Sequence, residues 1–346
     1  MLSHSLSATP IRMGFTAHPW LLAGLLLGCA DKGTDAAPAV DVLLVIDNSE
    51  SMPEENSLIL AHLSELITPL GDHARVGITT TTSISGWTGP SSQADPGEAG
   101  RLVGPVRTSS DPQIIAQLQQ DIACRSTCWN GAAVKAGGAQ SAEETACDIA
   151  ATGVTQASLS CTCADIDYPW DETLAGTWDS QLLCGGELET PMESALLALC
   201  RAAEDPPDVC WNHTAAMLDP DEATHSTPDF LRADTPTAII ILTDEGDASP
   251  MYGTQSDSAG AYIQAFERFG HPIQINAIGP ELHCEGGTCS LPCADPQTQV
   301  MEVSRIKNAT EDSGGRYLSL TDSGSDCATS QLTESLRAIG EHIITD

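Results

Sequence analysis

Asp41-Val42-Leu43-Leu44-Val45-Ile46-Asp47-Asn48-Ser49-Glu50-Ser51-Met52 sets five consecutive apolar residues, Val42 to Ile46, ahead of oxygen-bearing side chains at alternate positions. Unbroken apolar character over that length predicts a central strand covered on both faces of its sheet, not a half-exposed one. Open α/β sheets take their ligands at the carboxyl ends of the strands. Asp47, Ser49 and Ser51 stand there. One carboxylate with two hydroxyls is a hard-oxygen set, suited to Mg2+, Ca2+ or Mn2+ rather than to zinc. The same residues also read as a plain turn and helix cap, because Ser51 precedes Pro53-Glu54-Glu55 and suits an N-cap with proline and acids in the first turn.

Two later segments have a related character. Ala238-Ile239-Ile240-Ile241-Leu242-Thr243-Asp244 is a second β-branched strand ending in an acid. Gly185-Gly186-Glu187-Leu188-Glu189-Thr190-Pro191-Met192 opens with glycines and runs into a helix rich in Ala and Leu, with Pro191 at a tolerable first helical position. Asp-x-Ser-x-Ser at 47–51, followed in order by Thr190 and Asp244, resembles the metal-ion-dependent adhesion site of von Willebrand factor type A domains.

That resemblance implies a doubly wound, Rossmann-like α/β fold with a mostly parallel six-stranded sheet. It implies that Ser49, Ser51 and in some cases Thr190 bind the ion directly and that Asp47 and Asp244 act through water. Mg2+ is the ion it implies, with Mn2+ or Ca2+ as alternatives. So few directly bound carboxylates leave the cation positive charge with which to take an Asp or Glu from a protein partner. The chain departs from the family at Glu50, where Gly is common, and at Glu189, directly before the Thr. These acids either raise cation affinity or crowd the docking face, or they are solvated acids on a very acidic protein.

The balance of 48 acidic to 14 basic residues gives a formal charge of −34 and a pI near 4.2. The acids are dispersed and no basic stripe exists, so nucleic acid and anionic lipid headgroups are poor partners. Near the N-terminus, Trp20 to Cys29 is an apolar run too short to span a bilayer as a permanent helix and has the form of a signal-peptide core. Its ending, Leu26-Leu27-Gly28-Cys29, resembles a bacterial lipobox. The resemblance implies a signal peptide at 1–28, lipidation of Cys29, a tether over 29–40 and anchoring in the bacterial cell envelope. A plain secretory signal is the other reading, and both predict export.

Cysteine usage agrees with an exported chain. Of the 13 cysteines, twelve follow Cys29, an even number that predicts a disulfide framework in an oxidising compartment. Six of these lie between Cys124 and Cys184, where an Ala-, Gly-, Thr- and Asp-rich stretch is expected to be a disulfide-pinned insertion inside one domain spanning 41–346. His283 with Cys284, Cys289 and Cys293 lacks the paired C-x2-C knuckles of a zinc site, so disulfides are expected there too. Residues 165–171 are acidic without EF-hand spacing and read as solvated.

Elsewhere the pattern predicts helices over 53–69, 111–123, 190–201, 256–269, 300–312 and 332–344. Strands are predicted over 41–47, 75–82, 273–278 and 316–320, with a short edge strand at 102–106. Helices alternating with apolar strands give a parallel, doubly wound sheet. The expected function is a lipid-anchored, cation-dependent protein-binding module. One alternative is a structural envelope protein that assembles through its cysteine-rich insertion without a metal. The other, an exported hydrolase using Ser49 or Ser51, finds no Gly-x-Ser-x-Gly elbow and no recognisable triad histidine.

Overall fold

The computed structural model describes residues 39–47, 49, 52–81, 100, 102–126, 189–212, 227, 229–249, 260–294, 298–321 and 331–343. Cys29 with its lipobox, Glu50, Ser51, nearly all of the 124–184 insertion and residues 165–171 lie outside these.

In chain order the first elements are β1 (Val40–Ile46), α1 (Pro53–Ile67), β2 (Ala74–Thr80), β3 (Arg107–Thr108), α2 (Ile114–Ser126), α3 (Pro191–Ala202) and α4 (Val209–Asn212). They are followed by β4 (Thr237–Leu242), α5 (Gly260–Glu267), β5 (Ile273–Gly279), β6 (His283–Glu285), β7 (Thr288–Ser290), α6 (Val300–Asp312), β8 (Tyr317–Ser319) and α7 (Leu332–Ile343). The main sheet has six strands in the order β3-β2-β1-β4-β5-β8, parallel except for β3 at its edge. This is the mostly parallel, doubly wound, six-stranded sheet anticipated from the sequence, and its order fits a Rossmann-like, von Willebrand factor type A layout. The winding direction reverses between β1 and β4. Their registered ends, Ile46 opposite Leu242, form the switch point at the carboxyl edge, where folds of this kind have their crevice.

All seven residues of β1 are buried, as its apolar run predicts. Because strand side chains alternate between faces, Val42, Leu44 and Ile46 enter one layer, with Ile59, Leu63 and Leu66 of α1, Leu118 and Ile122 of α2, and Leu336 and Ile339 of α7. Leu43 and Val45 enter the other, with Leu196 and Leu199 of α3, Tyr262 and Phe266 of α5, and Ile306 of α6. Full burial of such a side chain is worth about 1.5–3 kcal/mol. Packing on the two layers, more than local propensity, therefore holds the helices in place.

Three expectations are corrected. Residues 102–106 do not form a strand: the edge strand is β3, and Val103 only donates its N–H to the Ile78 carbonyl at 2.7 Å. Gly104, at φ +75° with the Asp121 carboxylate under 3 Å from where a Cβ would sit, turns the chain instead of extending it. The N-cap of α1 is Met52, not Ser51, and Met52 makes no side-chain capping bond. Pro53 follows at the first helical position, where its missing N–H needs no partner. That helix also ends at Ile67, where Pro69 opens a 3-10 helix, Thr68–His73. The polar β6–β7 hairpin had no apolar signature to announce it.

Cys284 and Cys289 are joined across that hairpin, Cys200 and Cys210 are joined between α3 and α4, and Cys293 is disulfide-bonded as well. The cysteines around His283 thus serve as staples and are not zinc ligands. Among the described residues no helix is long and apolar enough to cross a membrane.

At the far edge of the sheet, the Tyr317 hydroxyl donates to the Pro280 carbonyl at 2.7 Å, and burial pushes its pKa above the ordinary 10.0. Above pH ~10 an unfolded Tyr317 loses a proton that the folded one keeps. This contribution to stability is therefore complete below that pH and is lost as pH rises toward the folded value. Denaturant titrations from pH 8 to 11 should show stability falling with pH, and Tyr317→Phe should flatten that slope. An unchanged slope would rule Tyr317 out as its source.

Candidate metal centre

The end of β1 delivers Asp47 into the crevice, where its side chain is fully buried. Its Oδ1 accepts the Ser49 N–H at 2.8 Å, and its Oδ2 accepts the Thr243 hydroxyl at 2.5 Å. Thr243 Oγ1 accepts the Glu245 N–H at 3.0 Å in turn. The Asp47 backbone is fixed too, its N–H donating to the Leu242 carbonyl and its carbonyl accepting from the Asn56 side chain. Burial pushes the Asp47 carboxyl above its ordinary range, against hydrogen bonds from Thr243, Ser49 and the Asp244 N–H. Asp47, Ser49, Thr243 and Asp244 therefore meet across the β1/β4 switch point, although nearly 200 residues separate the two strands in sequence.

Glu189 and Thr190, the end of the loop ahead of α3 (loop two), reach the same place through Thr81, just past β2, whose own N–H donates to the Ile46 carbonyl at 3.1 Å. The Thr81 carbonyl accepts three donors: the Thr190 N–H, the Thr190 hydroxyl and the Ser194 hydroxyl, each at 3.0 Å. A threonine hydroxyl has one proton and two lone pairs. With its proton committed to Thr81, Thr190 can meet a cation only through its oxygen, as a metal ligand must. Thr190 is the N-cap residue of α3, yet its side chain makes no capping bond and serves the crevice instead.

Behind this loop lies a second buried polar set. The Ser249 hydroxyl donates to Asp247 Oδ1 at 2.5 Å and accepts the Glu193 N–H at 3.0 Å. Tyr262 donates to Glu193 Oε2 at 2.5 Å, and Arg305 donates to the Asp247 carbonyl at 2.9 Å. A Cβ on Gly246 would come within 2.3 Å of the Glu302 Cβ, so this glycine lets the segment after Asp244 lie against α6. These contacts hold residues 246–249 rigidly beside loop two.

The residue that sequence reasoning underrated is Glu189. It is 2% exposed, so it is not a solvated acid, and neither carboxylate oxygen has a hydrogen-bond partner. Burial first, then the negative charges of Asp47, Glu245 and Asp244, push its pKa well above the ordinary glutamate range. None of these influences is a cation. An ionised carboxylate buried beside three further acids is strongly unfavourable unless it takes up a proton or a positive charge joins them. Among the described residues, no three His, Cys, Asp or Glu side chains converge as a ligand set on their own. The hydroxyls of Ser49 and Thr190 complete the oxygen cluster, and the donor set fits a hard divalent cation. Thr243, Asn56 and Thr81 were not anticipated as supports, although Thr243 stands next to Asp244 in the quoted strand.

The chain is thus a doubly wound α/β module with a hydroxyl–carboxylate cluster at its switch point. No known family model and no curated protein matches it. Among solved structures it is similar to the conserved hypothetical protein BatB from Bacteroides thetaiotaomicron, at 13% identity and TM-score 0.34, covering 88% of this chain and 100% of that one. It is also similar to the pilus adhesin SpaC from Lactobacillus rhamnosus GG, at 11% identity and TM-score 0.37, and to the human COPII-coat protein Sec24c, at 10% and 0.33. Each alignment covers 88% of this chain but only 31% of SpaC and 33% of Sec24c. Likenesses this weak carry no functional weight. The fold assignment rests on strand order and register.

Proposed function

We propose that this chain is an exported, lipid-anchored protein-binding module of the von Willebrand factor type A kind, held in the bacterial envelope through Cys29. The observation that carries the reading is the assembly of Asp47, Ser49, Thr190 and Asp244 at the β1/β4 crevice, with Thr190 turned oxygen-first and Asp47 held by its own loop and the loop after β4. Asp47, Ser49, Thr190 and Asp244, together with Ser51, would hold Mg2+ or, in its place, Mn2+ or Ca2+. A bound divalent cation supplies Lewis acidity toward a carboxylate oxygen of an Asp or Glu on a protein partner. The residues of this chain fix the site before any partner arrives: Thr243 and the Ser49 N–H orient the Asp47 carboxylate, Thr81 orients Thr190, and Asn56 holds the Asp47 carbonyl.

On this reading the chain recognises and does not catalyse. Its serines stand in a cation site, and the sequence holds no nucleophile elbow.

The test is capture of displayed peptides that vary in Asp and Glu content on the immobilised full-length chain, with divalent cation or with chelator. Acid-bearing peptides should be retained with cation, released by chelator, and not retained by the double variant Asp47→Ala, Ser49→Ala, whose folding is checked by circular dichroism. Retention that survives chelator or the double variant would sink the proposal.

A further inference from the structure

Six acids are buried among the described residues: Asp41, Asp47, Asp121, Glu189, Glu193 and Asp247. Arg232 pairs with Asp41, Arg107 with Asp121, Thr243 and Ser49 with Asp47, Tyr262 with Glu193, and Ser249 with Asp247. Glu189 alone has both carboxylate oxygens unbonded. Its backbone is held in place, because its carbonyl accepts the Ala248 N–H at 2.9 Å and the next residue's N–H donates to the Thr81 carbonyl at 3.0 Å. It sits where the charges of Asp47, Asp244 and Glu245 reach it.

We infer that Glu189 is a direct carboxylate ligand of the cation and that it makes the site select Ca2+ over Mg2+. This rests on the reading above that a divalent cation belongs in the crevice, and it departs from the pattern in which hydroxyls bind directly and acids act through water. A carboxylate with both oxygens unbonded can bind in bidentate fashion. Ca2+ accepts such a ligand within a flexible shell of roughly six to eight oxygens, whereas Mg2+ keeps several waters and demands near-octahedral geometry. Glu189 is 2% exposed, and Thr190 and Asp47 are fully buried, an enclosure that suits the ion that sheds its water more readily.

Calorimetric titration of the chelated full-length chain with CaCl2 and with MgCl2 tests this, run beside Glu189→Gln, Glu189→Asp and Asp47→Asn. The unmodified chain should bind Ca2+ at least about tenfold more tightly than Mg2+. Glu189→Gln should weaken Ca2+ about 10–100-fold and level the preference, the scale on which metal sites respond to loss of a supporting group. Its melting temperature in chelator should equal or exceed that of the unmodified chain, which separates lost ligation from lost folding. Glu189→Asp keeps the charge but shortens the reach, so it should also lose Ca2+ affinity. Full affinity in Glu189→Asp would mean that only its field matters and would overturn direct ligation. Equal binding of both ions by the unmodified chain would overturn the selectivity. Binding lost in Asp47→Asn but kept in Glu189→Gln would overturn this inference alone. No binding of any divalent ion by the unmodified chain would overturn the cation site itself.

Discussion

Saturating divalent cation should raise the melting temperature of the chelated protein by roughly 5–10 °C, and Asp47→Asn should remove the whole rise. A ligand present at 100 times its Kd stabilises by about 2.7 kcal/mol, and each kcal/mol moves a domain of this order of size by about 2–4 °C. Asn keeps the volume of Asp47 and an acceptor for the Ser49 N–H, so the variant should melt in chelator at or near the temperature of the unmodified chain. The difference lies in the charge. Asp47 joins Asp244 and Glu245 in opposing an ionised Glu189, and that repulsion is what a cation would relieve. Differential scanning calorimetry in chelator, Mg2+ and Ca2+ provides the check. A cation-induced rise retained in Asp47→Asn would place the ion elsewhere.

The second large effect is expected at the opposite end of β1. Asp41 is fully buried, with its Oδ1 accepting Arg232 Nε at 2.7 Å and its Oδ2 accepting the Arg232 backbone N–H at 2.7 Å. Arg232 Nη2 also reaches the Val40 carbonyl at 2.7 Å. Removing one partner of a buried pair costs about 3–5 kcal/mol, because a charge is left buried without its counter-ion. The Arg232 side chain is 24% exposed, so Arg232→Met should fall at the lower end, about 3 kcal/mol in urea denaturation. Adding Asp41→Asn should recover a large part of that loss, since the pair then no longer contains an orphaned charge.

A pH dependence accompanies this variant. Burial already raises the Asp41 pKa, and Arg232 is the chief influence lowering it. Without Arg232 the folded pKa climbs further above the unfolded one, so the folded state binds the extra proton. The deficit of Arg232→Met should then shrink as pH falls from neutral through the carboxylate range. A loss below about 1 kcal/mol at pH 7 would show that the pair is replaceable by solvent.

The parts of the fold that announced themselves are those whose residues are apolar over several positions. β1, β4 and β5 are buried strands and read as such. α6 falls at 300–312 as expected from its period, and the remaining long helices fall within a few residues of expectation. The two-residue edge strand at Arg107–Thr108 and the polar hairpin at His283–Ser290 carry no such signal, because backbone pairing and a disulfide define them more than burial does. At the candidate site, Asp47, Ser49 and Asp244 were legible as oxygens at the ends of apolar strands, whereas Thr190, at the start of a helix, was reached only through the family resemblance. Glu189 was legible only as an acid beside Thr190. Whether an acid is solvated depends on what folds over it, and here the cover includes residues 244–249, some sixty positions downstream.

The hydrogen bond between Thr243 and Asp47 joins residues 196 apart in the chain. Closing so long a loop is slow and entropically costly, and contacts of that span form late in folding. Until β4 docks beside β1, the polypeptide carries its acids on separate, solvated loops with no shared crevice to gather an ion. On the proposed reading, cation capture would therefore follow sheet assembly and would not nucleate it. If the proposed export carries it unfolded, the chain would cross without a metal trap and gain one only once the sheet is complete.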